Sequence, residues 1–387
     1  MLNFDYSIPT NIFFGKDQVK VLGTEIKKYG NKILLVYGGG SIKKNGIYDK
    51  VTEILKDENI EYHELSGVEP NPRITTVRKG IKICKDNNIE LVLAVGGGST
   101  IDCSKVIAAG YYYDGDAWDI VLDPSKIIDV LPIASILTLS ATGSEMDKGA
   151  VITNLDTNQK LGTGHEKMAP KFSILDPTYT FSVPRDQTAA GIVDTMSHIF
   201  ETYFSNTNEA FLQNRMSEAL LKTCINYGER AIDDPTDYEA RANLMWASSL
   251  AINGLLSYGK QTEWSVHAME HELSAFYDIT HGLGLAILTP NWMEYALNEE
   301  TVDKFVEYGV NVWDICESKD KFEVAKLAIE KTKEYFKLLG MPHTLREVGI
   351  AEEKLDVMAK QAVERGKLGT FKPLGESDVL AIYEKSL

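Results

Sequence analysis

The run Glu90-Leu91-Val92-Leu93-Ala94-Val95-Gly96-Gly97-Gly98-Ser99 passes from an unbroken apolar segment straight into a glycine triplet. An earlier segment repeats the pattern: Lys32-Ile33-Leu34-Leu35-Val36-Tyr37 runs into Gly38-Gly39-Gly40-Ser41. Neither apolar run alternates with polar residues. That suits strands covered on both faces, as in a parallel sheet, rather than a half-exposed antiparallel one. Val130-Leu131-Pro132-Ile133-Ala134, leading into Leu137-Thr138-Leu139-Ser140, reads the same way, and Phe172-Ser173-Ile174-Leu175 stops at Asp176-Pro177. Between the strands, Ile47 to Asn59 places Val51, Ile54 and Leu55 at helical spacing, and Ile74 to Asn87 does so with Val77, Ile81 and Cys84. Strand, helix, strand, helix implies right-handed βαβ units.

The pattern changes near residue 185. Amphipathic segments then dominate: Gln187 to Phe204, Glu209 to Arg230, Tyr238 to Leu256, Trp264 to Tyr277, Gly282 to Leu297, Thr301 to Glu317, Phe322 to Leu339 and Glu352 to Arg365. The expected architecture is an α/β Rossmann-like parallel-sheet domain over residues 1–184 and an all-α domain over 185–387. Pro184 breaks the strand pattern, and Asp186 is the expected cap of the first long helix. A length of 387 residues fits two such domains at roughly 150 residues each.

Acidic residues outnumber basic ones, 56 to 40, for a formal charge of −16. That charge opposes nucleic acid and anionic membrane as main partners. Met1 to Thr10 lacks the order of a signal peptide, and no apolar run approaches the ~18 residues of a membrane helix. Four cysteines, Cys84, Cys103, Cys224 and Cys316, are scattered without metal-binding spacing, which suits a reducing cytoplasm.

Both glycine triplets let a backbone turn tightly and approach a phosphate closely. The helix that follows then offers its positive dipole end. Neither loop completes G-x-G-x-x-G, since Lys43 and Ile101 stand at the third position. A tight turn without a ligand would account for one such loop. Two at the ends of strands in one sheet favour a ligand in the crevice beyond them. Thr138-Leu139-Ser140-Ala141-Thr142-Gly143-Ser144-Glu145 adds a third polar loop.

The helical half holds a second constellation. Asp194 and His198 lie one turn apart on one helix, His267 and His271 repeat that spacing on another, and His281 follows a short loop. A lone histidine on a helix is usually a surface or hydrogen-bonded core residue. Two such pairs on apolar helices need partners, and a divalent metal would satisfy them. The segment His267-Ala268-Met269-Glu270-His271 also reads H-x-x-E-H, the inverted zinc-peptidase pattern, with Glu270 as general base. That alternative leaves both glycine loops and Asp194/His198 without a use.

Together these motifs resemble the iron-containing (group III) alcohol dehydrogenases, nearest to their NAD(P)H-dependent butanol dehydrogenase branch. The resemblance begins at Phe4 to Thr10 and Phe13 to Lys16 and includes Glu69-Pro70-Asn71-Pro72. It takes in both glycine loops, Leu137 to Glu145, the Asp194/His198 pair and His267 to Gly282. It implies a dehydroquinate synthase-like architecture with the active site between the two domains. The implied metal ligands are Asp194, His198, His267 and His281, with His271 as a proton relay. The implied cofactor contacts are Gly38, Gly39, Gly40, Ser41 and Asn71 near the adenosine half. Gly97, Gly98, Ser99 and Asp102 fall near the pyrophosphate, and Thr138, Ser140, Thr142 and Lys160 are further contacts.

The expected reaction is hydride transfer between NAD(P)H and a short-to-medium aliphatic aldehyde such as butanal, assisted by Fe2+ or alternatively Zn2+. Some relatives carry an acid in the first loop that would repel a 2′-phosphate. Gly39 and Ser41 leave room here and Lys43 and Lys44 add positive charge, so NADP(H) is favoured over NAD(H). Gly149 stands where other members carry a cofactor-binding Asn. Glycerol or diol oxidation is the alternative on the same fold. Dehydroquinate synthase chemistry would need a basic pocket that the residues around the histidines do not supply. A cytoplasmic homodimer is expected.

Overall fold

The computed structural model describes residues 1–207, 209–316 and 320–387. Within them the strands are β1 (Asn11–Phe14), β2 (Lys32–Tyr37), β3 (Glu61–Leu65), β4 (Leu91–Gly96), β5 (Ile133–Leu137), β6 (Gly149–Asn154), β7 (Gln159–Gly164) and β8 (Phe172–Leu175). Six form one sheet in the order β1-β8-β5-β4-β2-β3, with every neighbouring pair parallel. β6 and β7 form a separate antiparallel hairpin.

Successive side chains of β2 go to opposite faces, and both faces are buried. Leu34 and Val36 pack with Val77, Val92 and Val106, whereas Ile33 and Leu35 pack with Val51, Leu55, Leu91 and Leu93. The unbroken apolar runs thus serve two cores, and each fully buried aliphatic side chain contributes roughly 1.5–3 kcal/mol. β2 is followed by β3 on one side and by β4 on the other, so the order reverses between β2 and β4. Both glycine triplets leave the carboxyl ends of these two strands, the switch point where such sheets take ligands.

Three segments depart from the expected pattern. β3, Glu61-Tyr62-His63-Glu64-Leu65, is a half-exposed edge strand whose polar residues hide its β character. The β6–β7 hairpin turns through Asn158 at φ 48, and its pattern is likewise too polar to read as core. The first long helix spans Arg185–Tyr203 with Pro184 as its cap, so Asp186 lies in the first turn instead. The helix expected to reach Glu317 runs Val302–Trp313, and Glu317 itself lies outside the described residues.

Contacts divide the chain differently from a single cut between 184 and 185. One unit comprises 7–183 with 235–249, and the other comprises 1–6, 184–234 and 250–387. The exchange has a packing cause. Met245, in the helix Tyr238–Ile252, joins Ala94, Ile101, Leu137 and Leu175 in a small core, and Ser249, one turn on, bonds buried Glu145 at 2.5 Å. At the amino terminus the Leu2 N–H donates to the Gly259 carbonyl, and Tyr6 packs edge-on against Tyr258. The second unit is helical apart from an isolated bridge between Leu368 and Leu374, among the described residues.

Candidate metal centre and dinucleotide loops

Asp194 and His198 lie on the helix Arg185–Tyr203, which is buried along its whole length from Thr188 to Tyr203. His267 lies near the start of the helix Ser265–Tyr277, and His281 opens the helix His281–Ala296. Two glycines bring the third helix in. A Cβ on Gly282 would overlap the backbone of Ala190, one turn before Asp194, and a Cβ on Gly284 would lie 2.7 Å from Glu270 Cγ. Without side chains there, His281 and Glu270 reach the same point.

One oxygen organises the cluster. Asp194 Oδ1 is 3.7 Å from His198 Nδ1, 3.7 Å from His267 Nε2 and 3.7 Å from His281 Nε2. That is too long for a hydrogen bond. It is close to the roughly 3.4 Å that separates two ligands sharing one tetrahedral ion at about 2.1 Å each. Asp194 Oδ1, His198 Nδ1 and His267 Nε2 are buried without a hydrogen-bond partner. Stranded polar atoms of this kind are costly, and a cation at their centre satisfies all three. The donor atoms of Asp194, His267 and His281 all lie within 4.8 Å of one another. His198 meets the same oxygen from outside that trio, with its ring stacked on His267 at 4.6 Å.

Two further carboxylates set the imidazoles. Glu201 accepts from both the backbone N–H and the Nδ1 of His267, each at 3.0 Å. Glu270 is bonded to His281 Nδ1 and to the Ser274 hydroxyl. An Nδ1 that donates to a carboxylate leaves Nε2 with its lone pair, on the side of the ring that faces Asp194. Asp194, Glu201 and Glu270 are 3%, 2% and 0% exposed, so three acids crowd a small volume with neutral or singly charged rings. Such an excess of negative charge calls for a cation.

The pKa directions agree with close coupling. Burial raises the Asp194 carboxyl, but the three imidazoles outweigh it and hold the group well below the usual range. Burial pushes His198 down to about 3. It also lowers His267, yet Asp194 and Glu201 prevail and raise that ring to about 9.

This geometry removes the peptidase reading. H-x-x-E-H chemistry needs both of its histidines on one ion and a free glutamate. No group of candidate ligands among the described residues contains His267 and His271 together, and Glu270 is fully buried and committed to His281. Glu201 was legible in principle: residues 194, 198 and 201 are spaced i, i+4, i+7 and share a helix face.

In the α/β unit the expected cofactor residues gather at the carboxyl edge of the sheet. The Gly67 and Val68 N–H groups bond the Gly38 and Tyr37 carbonyls, tying the loop after β3 to that after β2. Gly40 has φ 104, and Cβ atoms on Gly39 or Gly40 would meet nothing within 4 Å, so the first loop presents an open backbone surface to a ligand. Ser41 starts the short helix Ser41–Lys44. The second loop opens the helix Gly98–Gly110, which no side chain caps. A Cβ on Gly98 would overlap the Thr142 hydroxyl, so the third loop lies directly on that helix start. Thr138 N–H bonds the Gly96 carbonyl at 3.0 Å, and Thr138, Ser140 and Thr142 are half-buried.

Ser99 donates to the Pro70 carbonyl beside buried Asn71, and Thr153 N–H bonds Pro72 at 2.8 Å. Lys160 pairs opposite Thr153 in the hairpin and is buried. The carboxylate of Asp102 turns inward, accepting from Ser144 Oγ at 2.5 Å and Val151 N–H at 2.8 Å. Burial lifts Asp102 to about 6. Lys105, fully buried, bonds Asp147, Ser144 and the Gly149 carbonyl, an internal brace that local sequence did not signal.

Comparison with known proteins decides the family. The iron-containing alcohol dehydrogenase family matches residues 9–177, and its C-terminal part matches residues 188–387. The chain belongs to the iron-containing alcohol dehydrogenases.

Its relatives agree along the whole length. NADH-dependent butanol dehydrogenase A of Clostridium acetobutylicum is 67% identical, covering 100% of both chains. NADPH-dependent aldehyde reductase YqhD of Escherichia coli is 37% identical over 95% of this chain and 94% of its own. The crystal structure of NADH-dependent butanol dehydrogenase A from Thermotoga maritima superposes with a TM-score of 0.95 at 40% identity, covering 100% of this chain and 99% of that one. The chain is therefore an oxidoreductase, an NAD(P)H-dependent alcohol dehydrogenase or aldehyde reductase whose family implies iron. No helix among the described residues is long and apolar enough to cross a membrane.

Proposed function

We propose that the enzyme transfers hydride between NADH and a short-to-medium aliphatic aldehyde such as butanal, with a divalent ion, Fe2+ ahead of Zn2+, held by Asp194, His198, His267 and His281. The observation that carries the metal assignment is the set of three imidazole nitrogens, each 3.7 Å from Asp194 Oδ1. When bound, the ion would supply Lewis acidity to a carbonyl oxygen and the nicotinamide would supply the hydride.

The chain's own residues do the rest. Glu201 and Glu270 orient His267 and His281 through their Nδ1 atoms. The indole of Trp264, held at φ 58, lies 5.2 Å from the His267 ring and gives the ligands an apolar side. His271, 5.8 Å from the His281 ring and half-exposed, is the proposed proton donor. Gly38 to Ser41 with Asn71 would take the adenosine half. Gly97 to Ser99 would take the pyrophosphate, with Asp102, Thr138, Ser140, Thr142 and Lys160 as supports and further contacts.

Residues 1–184 are accordingly proposed as the dinucleotide domain and 185–387 as the metal domain, with 235–249 packed on the former. NADH is preferred because relatives 67% identical bear NADH-dependence in their names. NADPH, suggested by Gly39, Ser41, Lys43 and Lys44, is the second reading. A cytoplasmic homodimer completes the proposal, and light scattering would test the assembly.

The decisive assay loads purified protein anaerobically with Fe2+ or Zn2+ and follows butanal-dependent NADH oxidation. Turnover abolished by a chelator is expected. Absence of turnover with either ion and with aldehydes of every length would overturn the substrate class.

A further inference from the structure

Glu263 is 2% exposed and lies outside both the ligand set and the dinucleotide loops. Its Oε2 accepts from two consecutive backbone N–H groups far along the chain, Thr370 at 2.7 Å and Phe371 at 2.6 Å. Its Oε1 accepts from the Ser265 hydroxyl. No side chain fits between the two segments: a Cβ on Gly369, which has φ 76, would overlap both Glu263 and Ser265. Thr370 Oγ1 adds a bond to the Thr262 carbonyl at 3.0 Å, and the Phe371 ring packs among Phe204, Trp292 and Phe305. One carboxylate therefore ties residues 369–371 to the turn that opens the helix Ser265–Tyr277.

That turn carries Trp264 at φ 58 and ψ 15, a left-handed conformation that a bulky residue keeps only where its surroundings dictate it. Both chain neighbours of Trp264 are held. Glu263 N–H donates to the Glu201 carbonyl at 2.7 Å, and Ser265 is bonded to the Glu263 carboxylate. Glu201 also accepts from His267 Nδ1, so the turn and a metal-ligand candidate share one support. Held in this way, the indole lies 6.0 Å from the His198 ring and 5.2 Å from the His267 ring. Release of the clamp would let Trp264 relax toward an ordinary backbone conformation and turn its indole away from both imidazoles.

We propose that Glu263 is a positioning residue for the metal centre: by clamping residues 369–371 it holds Trp264 in its left-handed turn and keeps the indole against His198 and His267. The inference rests on the reading that these histidines hold a divalent ion. Burial lifts the Glu263 carboxyl to about 7, so glutamine is a close mimic of a form it readily takes.

The probe is Co2+, whose visible absorption reports the geometry of its ligands. Co2+-loaded Glu263→Ala should show an altered spectrum and a kcat for butanal lowered about tenfold, with NADH affinity changed by less than about twofold. Glu263→Gln, which still accepts from both N–H groups, should restore the wild-type spectrum and most of the rate. Glycine adopts the left-handed turn freely and carries no indole, so Trp264→Gly should by itself alter the spectrum and rate. In that background Glu263→Ala should add little, a non-additivity that general loosening would not produce. A Glu263→Ala enzyme that loses thermal stability alone, with wild-type spectrum and kcat, overturns the proposal, as does an effect that persists in full without Trp264. If Glu263→Ala does not fold, Trp264→Gly decides: a wild-type spectrum and rate there overturns the proposal. Wild-type protein that takes up no Co2+ overturns the reading of the ligands instead.

Discussion

Asp194, His198, His267 and His281, the proposed metal ligands, offer side-chain atoms; Gly38 to Gly40 and Gly96 to Gly98, the proposed dinucleotide loops, offer backbone without side chains. The first region gathers buried charge and leaves Asp194 Oδ1, His198 Nδ1 and His267 Nε2 without hydrogen-bond partners. The second clears space, so that backbone and neighbouring loops can approach. A side-chain site fails when an atom is removed and a backbone site fails when one is added. The two should therefore respond to substitution in separate observables.

The largest effect belongs to the side-chain region. His267→Ala should strip the metal and lower aldehyde reduction on the order of 10³-fold, with nucleotide binding intact. Elemental analysis beside a dinucleotide titration checks this, and a variant that keeps both metal and rate would break the ligand assignment. Next comes Glu201→Gln, which keeps the shape but weakens the bond to His267 Nδ1 at 3.0 Å. Metal affinity should fall about 10- to 100-fold in competition with a chromophoric chelator. An unchanged affinity would mean that Glu201 only anchors the helix start.

Gly98→Ala tests the backbone region, since the added methyl must displace Thr142. A loss of roughly 1–2 kcal/mol in dinucleotide binding is expected, with metal content unchanged. Loss of both together would mean that the two regions fail as one.

The smallest effect sharpens what makes a site. Lys260 is also buried and polar, but it donates to Asn214 Oδ1 at 2.8 Å and sits among Lys304, Glu307 and Glu218. Burial lowers it from 10.5 to about 7. Between about pH 7 and pH 10 the unfolded chain holds a proton that the folded chain lacks, so this group makes stability rise with pH across that window. Lys260→Met should flatten the rise in thermal unfolding and leave metal and nucleotide binding as they are. A slope unchanged by the substitution would assign it to other groups.

Legibility differed along the same divide. The parallel sheet was readable because β2 and β4 are apolar on both faces, which only two covering layers explain. The edge strand β3 and the β6–β7 hairpin escaped because half-exposed strands carry polar residues. Asp194/His198 was readable from its spacing on one helix. Glu270 was visible only as a motif letter, and its bond to His281 depends on Gly284 yielding space across two helices. The helix Tyr238–Ile252 reads like any other in the second half, yet Met245 and Ser249 bind its first part to the α/β unit.

Sequence alone determined the parallel strands, the two glycine turns and the pairing of Asp194 with His198 on one helix face, because periodicity and residue type act locally or within a helical turn. Tertiary structure decided which carboxylate holds which imidazole and which unit owns residues 235–249. Those outcomes depend on through-space distances between segments far apart in the chain, which no local pattern encodes.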